Sequence, residues 1–235
     1  MALLSKKDAD FLSGHFADKL ETPVRLVYFT QTMACQFCRE TEQVLREVAD
    51  LSDKVTLEVY NQITDKDKAE AFGIDKIPGT AVIGAKDYGV RFFGIPSGYE
   101  FTSLVEDIVD VSRGQTSLSA QTLELLTKLT EPVHIQVFVT PTCPYCTSAV
   151  RLAHSLAIAS GKVRADMVEA IEFPELGNKY RVQGVPRTVV NETASFEGAM
   201  PEPLFVAEVL RGAGVMTDAE VEALVAKLTK NAKKN

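Results

Sequence analysis

The chain has no excess of basic residues. In 235 residues, 25 Lys and Arg stand against 32 Asp and Glu, a formal net charge of −7. Nucleic acids and anionic membranes are bound by basic faces, so neither is an expected partner. No tract approaches the ~18 consecutive apolar residues of a membrane-crossing helix. The start, MALLSKKDADFLSG, turns after a brief apolar stretch to lysines and acids, unlike a secretory leader. A cytoplasmic protein is therefore expected. Cysteine is scarce, at four residues, which excludes the disulfide-built scaffold of small secreted domains. Composition is otherwise that of a globular chain, 46% hydrophobic and 24% charged, able to bury a core. At roughly 150 residues per domain, the length allows one large domain or two small ones.

The four cysteines fall as Cys35-Gln36-Phe37-Cys38 and Cys143-Pro144-Tyr145-Cys146, two C-x-x-C pairs. Sliding the chain along itself by 108 positions superposes both pairs, and also Phe72 on Tyr180, Ile74 on Val182, Ile77 on Val185, Pro78 on Pro186, Thr80 on Thr188 and Val82 on Val190. From second cysteine to proline is 40 positions in each copy. A repeat of this kind is the mark of a duplicated folding unit. Its gaps, two extra residues before Cys35 and a hairpin four residues shorter after Val190, fall where loops belong.

The unit reads as an alternation of strands and helices. Residues 24–30 and 133–140 are β-branched and aromatic-rich strands bounded by Pro23 and Pro132. Each runs into C-x-x-C and an apolar stripe at helical spacing, Val44, Leu45 and Val48 or Val150, Leu152, Ala153 and Leu156. Strands at 55–60 and 163–168, a short helix, the X-Pro step, a strand hairpin and a closing helix follow. The closing helices are Phe101–Val111 and Pro203–Leu210, the latter followed by Thr217–Leu228, whose lysine-rich end, Lys227–Lys234, reads as a helix tail. Lead-in helices are expected at Lys6–Leu20 and Leu118–Leu129. The polar segment from Ser112 to Thr116 separates two α/β domains, 1–115 and 116–235.

The pairs point to thiol chemistry. A thiolate is the reactive form of cysteine, and a thiol of pKa ~8.5 is mostly protonated at neutral pH. Placing the first cysteine at the start of a helix turns unsatisfied N–H groups and the positive end of the dipole toward its sulfur. The two-residue spacer brings the second sulfur within reach of a mixed disulfide formed on the first. Cys35 and Cys143 are thus the expected attacking thiols, and Cys38 and Cys146 the resolving ones. Pro78 and Pro186 are expected to follow cis bonds beside the sulfurs, leaving the backbone of Ile77 and Val185 to pair with an extended substrate. Phe37 and Tyr145, between the cysteines, are expected partner contacts. His15, His134 and His154 do not recur between copies and are expected to be structural.

Strand, C-x-x-C, helix and a strand-opening proline 40 residues on resemble the thioredoxin fold, and Cys143-Pro144-Tyr145-Cys146 resembles the glutaredoxin site. Two such units in tandem resemble the protein disulfide oxidoreductases, or glutaredoxin-like proteins. The resemblance covers essentially the whole chain. It implies an α/β tandem duplication with two central mixed β-sheets flanked by helices. It also implies a cofactor-free, metal-free enzyme that exchanges disulfides with protein substrates as reductase, oxidase or isomerase and takes part in cell redox homeostasis. A thioredoxin-reductase-like flavoenzyme would be its electron donor, and Cys143 its main nucleophile. The N-terminal module of alkyl hydroperoxide reductase, also two such folds but with one C-x-x-C, resembles the chain less. An electron carrier dedicated to one enzyme such as a peroxidase, and an iron–sulfur or metal carrier, are the alternatives. Where thioredoxin has a buried Asp on the strand before its cysteines, the second copy has Val137 and Phe138; Glu58, Asp166 and Glu169 are candidate substitutes as proton acceptors.

Overall fold

A computed structural model describes residues 3–232, with side chains described to residue 226. The lysine-rich stretch 227–234 falls outside the described side chains. The first half of the chain comprises α1 (Lys6–Lys19), β1 (Val24–Thr30), α2 (Cys38–Ala49), β2 (Val55–Asn61), α3 (Lys66–Ala71), β3 (Gly79–Ile83), β4 (Asp87–Phe93) and α4 (Glu100–Arg113). The second half repeats the order: α5 (Ala120–Leu126), β5 (Val133–Val139), α6 (Cys146–Ala159), β6 (Val163–Glu169), α7 (Pro174–Lys179), β7 (Arg187–Val190), β8 (Ala194–Glu197) and α8 (Glu202–Gly212). A final helix, α9 (Asp218–Ala232), is appended.

Local chemistry sets the helix ends. Ser5 and Ser119 begin α1 and α5 by accepting from the N–H of Asp8 and Thr122. Gly114 closes α4 in the left-handed conformation, φ 61°, which glycine adopts without steric cost.

The strand order is β2-β1-β3-β4-β6-β5-β7-β8. Each half supplies an equivalent four-stranded set, as expected. The two sets are not separate sheets, however, because β4 pairs in parallel with β6, from Val90 opposite Ala165 to Phe93 opposite Val168. The join has a physical reason. Val90, Phe92 and Phe93 on β4 and Ala165, Met167 and Val168 on β6 are all buried, and an exposed edge of such strands would pair with other chains.

Strands β1, β2, β4, β5 and β6 all run in one direction. The carboxyl ends of β1 and β5 therefore open onto the same edge of the sheet. They are four strand spacings apart, roughly 19 Å at ~4.8 Å each.

One apolar core runs under both halves on the face carrying α2, α4 and α6, including Leu45, Leu104, Ile108, Val150 and Leu156. A smaller one, around Phe29, Phe93 and Phe138, occupies the other face. Across the join, α4 and α6 also share an ionic network. Arg151 pairs with Asp107 and Asp110, and His154 Nδ1 pairs with the second oxygen of Asp107. Asp107 and His154 are both fully buried.

Candidate redox sites

Both cysteine pairs lie on the carboxyl edge just described, and both are closed as disulfides, each with Cα atoms 5.5 Å apart. The helices begin at the second cysteine rather than the first. Phe37 and Tyr145 are the N-cap residues, so Cys35 and Cys143 stand two positions ahead of the caps. The first sulfur is nevertheless tied by the disulfide to the first helical residue, next to the free N–H groups of the opening turn. In each pair the second cysteine is the more enclosed. Cys38 is buried beside a half-buried Cys35, and Cys146 is at 0% exposure beside Cys143 at 8%. That ordering suits a first sulfur that meets the partner and a second that waits behind it.

Ile77-Pro78 and Val185-Pro186 are both cis, as expected. The two loops are anchored alike, Pro78 accepting from Gly94 N–H at 2.9 Å and Pro186 from Gly198 N–H at 2.8 Å. In the second half, Cys143 Sγ lies 3.7 Å from the carbonyl oxygen of Val185. Tyr145 is 69% exposed, whereas Phe37 is half-buried.

The first half completes the second site. The Tyr99 N–H donates to the carbonyl of Pro141 at 3.0 Å, and the Thr147 hydroxyl donates to the carbonyl of Tyr99 at 3.1 Å. Gly98, at φ 59°, is required there because a Cβ would lie 2.1 Å from the Pro141 oxygen. This contact delivers Glu100 next to the residue after Cys146. Its carboxylate lies 3.5 Å from the Thr147 hydroxyl and accepts from Ser103 at 2.6 Å. Glu100 is buried, and burial pushes its carboxyl up from the usual range. Sequence reasoning missed this residue. It lies in the other copy, and an acid in the first turn of a helix already has a reading as a dipole partner.

The three carboxylates proposed from sequence fare differently. Glu58 pairs with Arg25 at 2.8 Å. Asp166 is fully buried, and against the upward push of that burial His134 at 2.7 Å and Arg164 at 2.8 Å hold it well below the usual carboxylate range. Both are committed to ion pairs. Glu169 is buried at the end of β6, is pushed up by that burial, and has one oxygen with no hydrogen-bond partner among the described residues. Its neighbour Glu172 accepts from Ile95 N–H at 2.6 Å, and burial, with the charge of Glu169 adding, raises it to about 7.

The Glu172 shift makes stability depend on pH. A carboxyl whose folded pKa is raised penalises the folded state once ionised. The penalty is absent below the unfolded value near 4.5, grows with pH, and is complete above about 7. Glu172→Gln is therefore expected to stabilise the chain at pH 8.5 by roughly 1–2 kcal/mol after allowance for solvent screening, and to be neutral at pH 4.5. Urea midpoints at the two pH values measure this. Equal differences at both would contradict it.

Each of the three histidines lies against a carboxylate. His15 pairs with Glu106, His134 with Asp166, and His154 with Asp107. Among the described residues, no group of three or more His, Cys, Asp or Glu is arranged to hold a metal. No described helix is long and apolar enough to cross a membrane.

Comparison with known proteins agrees with this geometry. The thioredoxin-domain family matches residues 133–211. The solved protein disulfide oxidoreductase of Aeropyrum pernix is 31% identical, with TM-score 0.83 over 91% of this chain and 95% of that one. The chain belongs to the thioredoxin-superfamily disulfide oxidoreductases. Within that superfamily a second likeness stands almost level. A solved variant of the alkyl hydroperoxide reductase AhpF from Enterococcus faecalis is 30% identical, with TM-score 0.79 over 86% of this chain and 97% of that one. The curated Escherichia coli protein of the same name is 28% identical over 84% of this chain and 36% of its own length. The chain spans about a third of the length of the curated relatives it matches. The expectation that the alkyl hydroperoxide reductase module would be the less similar thus rests on a narrow margin. Two C-x-x-C pairs on this fold fit thiol–disulfide redox chemistry.

Proposed function

We propose that the chain is a protein dithiol–disulfide oxidoreductase of two working units, residues 1–115 and 116–235, acting through mixed disulfides in the cytoplasm. The observation that carries this reading is the repeated arrangement on one sheet edge: a more exposed first cysteine, a buried second one and a cis-proline loop in each half. In the reductive direction, Cys143 thiolate attacks one sulfur of a substrate disulfide. A Cys143–substrate bond forms, and the other substrate sulfur leaves as a thiolate and takes up a proton. Cys146 then attacks the Cys143 sulfur, releasing the second substrate thiolate. The substrate gains two electrons and the pair is left as a disulfide. The backbone of Val185 and Ile77 would hold the substrate strand, with Tyr145 and Phe37 as side-chain contacts. Cys35 and Cys38 form a second site. At roughly 19 Å from the first by strand spacing, that site exchanges with it through a shared substrate rather than directly. A thioredoxin-reductase-like flavoenzyme would restore the dithiols.

The likeness to the alkyl hydroperoxide reductase AhpF favours a second reading, a carrier dedicated to one acceptor such as a peroxidase. Insulin separates the two. Under the first reading the chain, with dithiothreitol as donor, precipitates insulin well ahead of dithiothreitol alone. A dedicated carrier leaves that rate unchanged.

A further inference from the structure

The two pairs share a fold but not the residue beneath them. Tyr28 on β1 sits opposite Val59 and Thr80, and Val137 on β5 sits opposite Met167 and Thr188. Thr80 and Thr188 coincide in the repeat, so Tyr28 and Val137 occupy the same place in the two halves. Tyr28 is fully buried, and its hydroxyl donates to the carbonyl of Cys38 at 2.7 Å. Val137 offers no polar atom, so β5 supplies no such donor at Cys146.

Resting on the exchange reading above, we propose that Tyr28 is a positioning residue for the N-terminal pair, polarising the first peptide of α2 so that Cys35 forms its thiolate more readily. The carbonyl of Cys38 and the N–H of Arg39 are two ends of one peptide unit. A proton donated to the carbonyl oxygen draws electron density toward it, making the N–H at the helix start a stronger positive pole beside the sulfur tied to Cys38. The same bond fixes the orientation of the opening turn. Tyr28 stays a donor across the working pH range. Burial pushes its phenol up, and nearby Glu42, Glu172 and Glu40 add to that push while Thr30 opposes it. Cys143 lacks this support, so the two sites are tuned separately.

The test is Tyr28→Phe in the full chain, which removes the hydroxyl and keeps the ring. Iodoacetamide alkylation of the reduced chain is followed from pH 5 to 10, with Cys35 and Cys143 resolved by peptide mass. Cys35 alkylation at pH 7 is expected to fall about three- to tenfold, with its profile displaced to higher pH and that of Cys143 unmoved. Against glutathione, the N-terminal pair should favour its disulfide by the same factor, about 15–30 mV toward more reducing potential at 29.6 mV per tenfold. An unchanged Cys35 profile, or equal displacement of Cys35 and Cys143, would overturn the inference. Should Tyr28→Phe not fold, the chain carrying Cys143→Ser and Cys146→Ser with ζ-¹³C-tyrosine serves instead. One tyrosine resonance is expected to move when the N-terminal pair is reduced, and none moving would equally overturn it. The exchange reading fails separately, if neither pair in the unmodified chain exchanges with a disulfide.

Discussion

With Cys143 replaced by Ser, insulin reduction is expected to fall to roughly a tenth or less of the native rate, the remainder being carried by Cys35. A hydroxyl is not ionised near neutral pH and forms no disulfide, so the C-terminal site cannot take its first step. Cys146→Ser differs in kind. The first step survives, but the mixed disulfide has no internal thiol to release it, so a covalent complex accumulates. The buried position of Cys146 is what separates the two outcomes, because the sulfur behind is shielded from direct attack by substrate. Insulin turbidity and non-reducing gels measure both. If Cys35→Ser abolishes reduction and Cys143→Ser leaves it intact, the assignment of the two sites is reversed.

Asp107→Ala is expected to cost about 3–5 kcal/mol of stability, lowering the midpoint of thermal unfolding by roughly 6–20 °C. The carboxylate serves both Arg151 and His154 across the join between α4 and α6, and it is wholly enclosed. Removing it leaves Arg151 with Asp110 alone and His154 with neither ring nitrogen bonded, since Nε2 has no partner among the described residues. Such a loss exceeds the net worth of the pair, because a buried group is stranded. Circular dichroism against temperature and urea measures it. A change below about 1 kcal/mol would mean that water or rearrangement satisfies the network.

The repeat carried most of the legible fold. Pro78 and Pro186 in register, with the strands that precede each C-x-x-C, were enough to give the element order and the cis bonds, because both are set within one copy. Which elements meet between the copies was not legible. Nothing in the alternation of β4 or β6 states that these two edges pair, since an apolar edge reads the same whether its neighbour is a strand or a helix. Glu100 and Thr147 are brought together only by that join, as are Asp107 and His154. The candidate carboxylates Glu58 and Asp166 failed for a related reason. Their ion partners Arg25, His134 and Arg164 come from the same or adjacent strands, so a register is needed to see that they are taken. Tyr28 was hidden by its type, since a tyrosine in a strand reads first as core.

That each first cysteine attacks and each second one resolves is tested most directly by peptide mass mapping of the complex formed when reduced Cys146→Ser meets insulin. The expected product is a disulfide joining Cys143 to an insulin cysteine, with none in the native chain after turnover. A complex joined through Cys38, or no complex with insulin reduction proceeding normally, would contradict it.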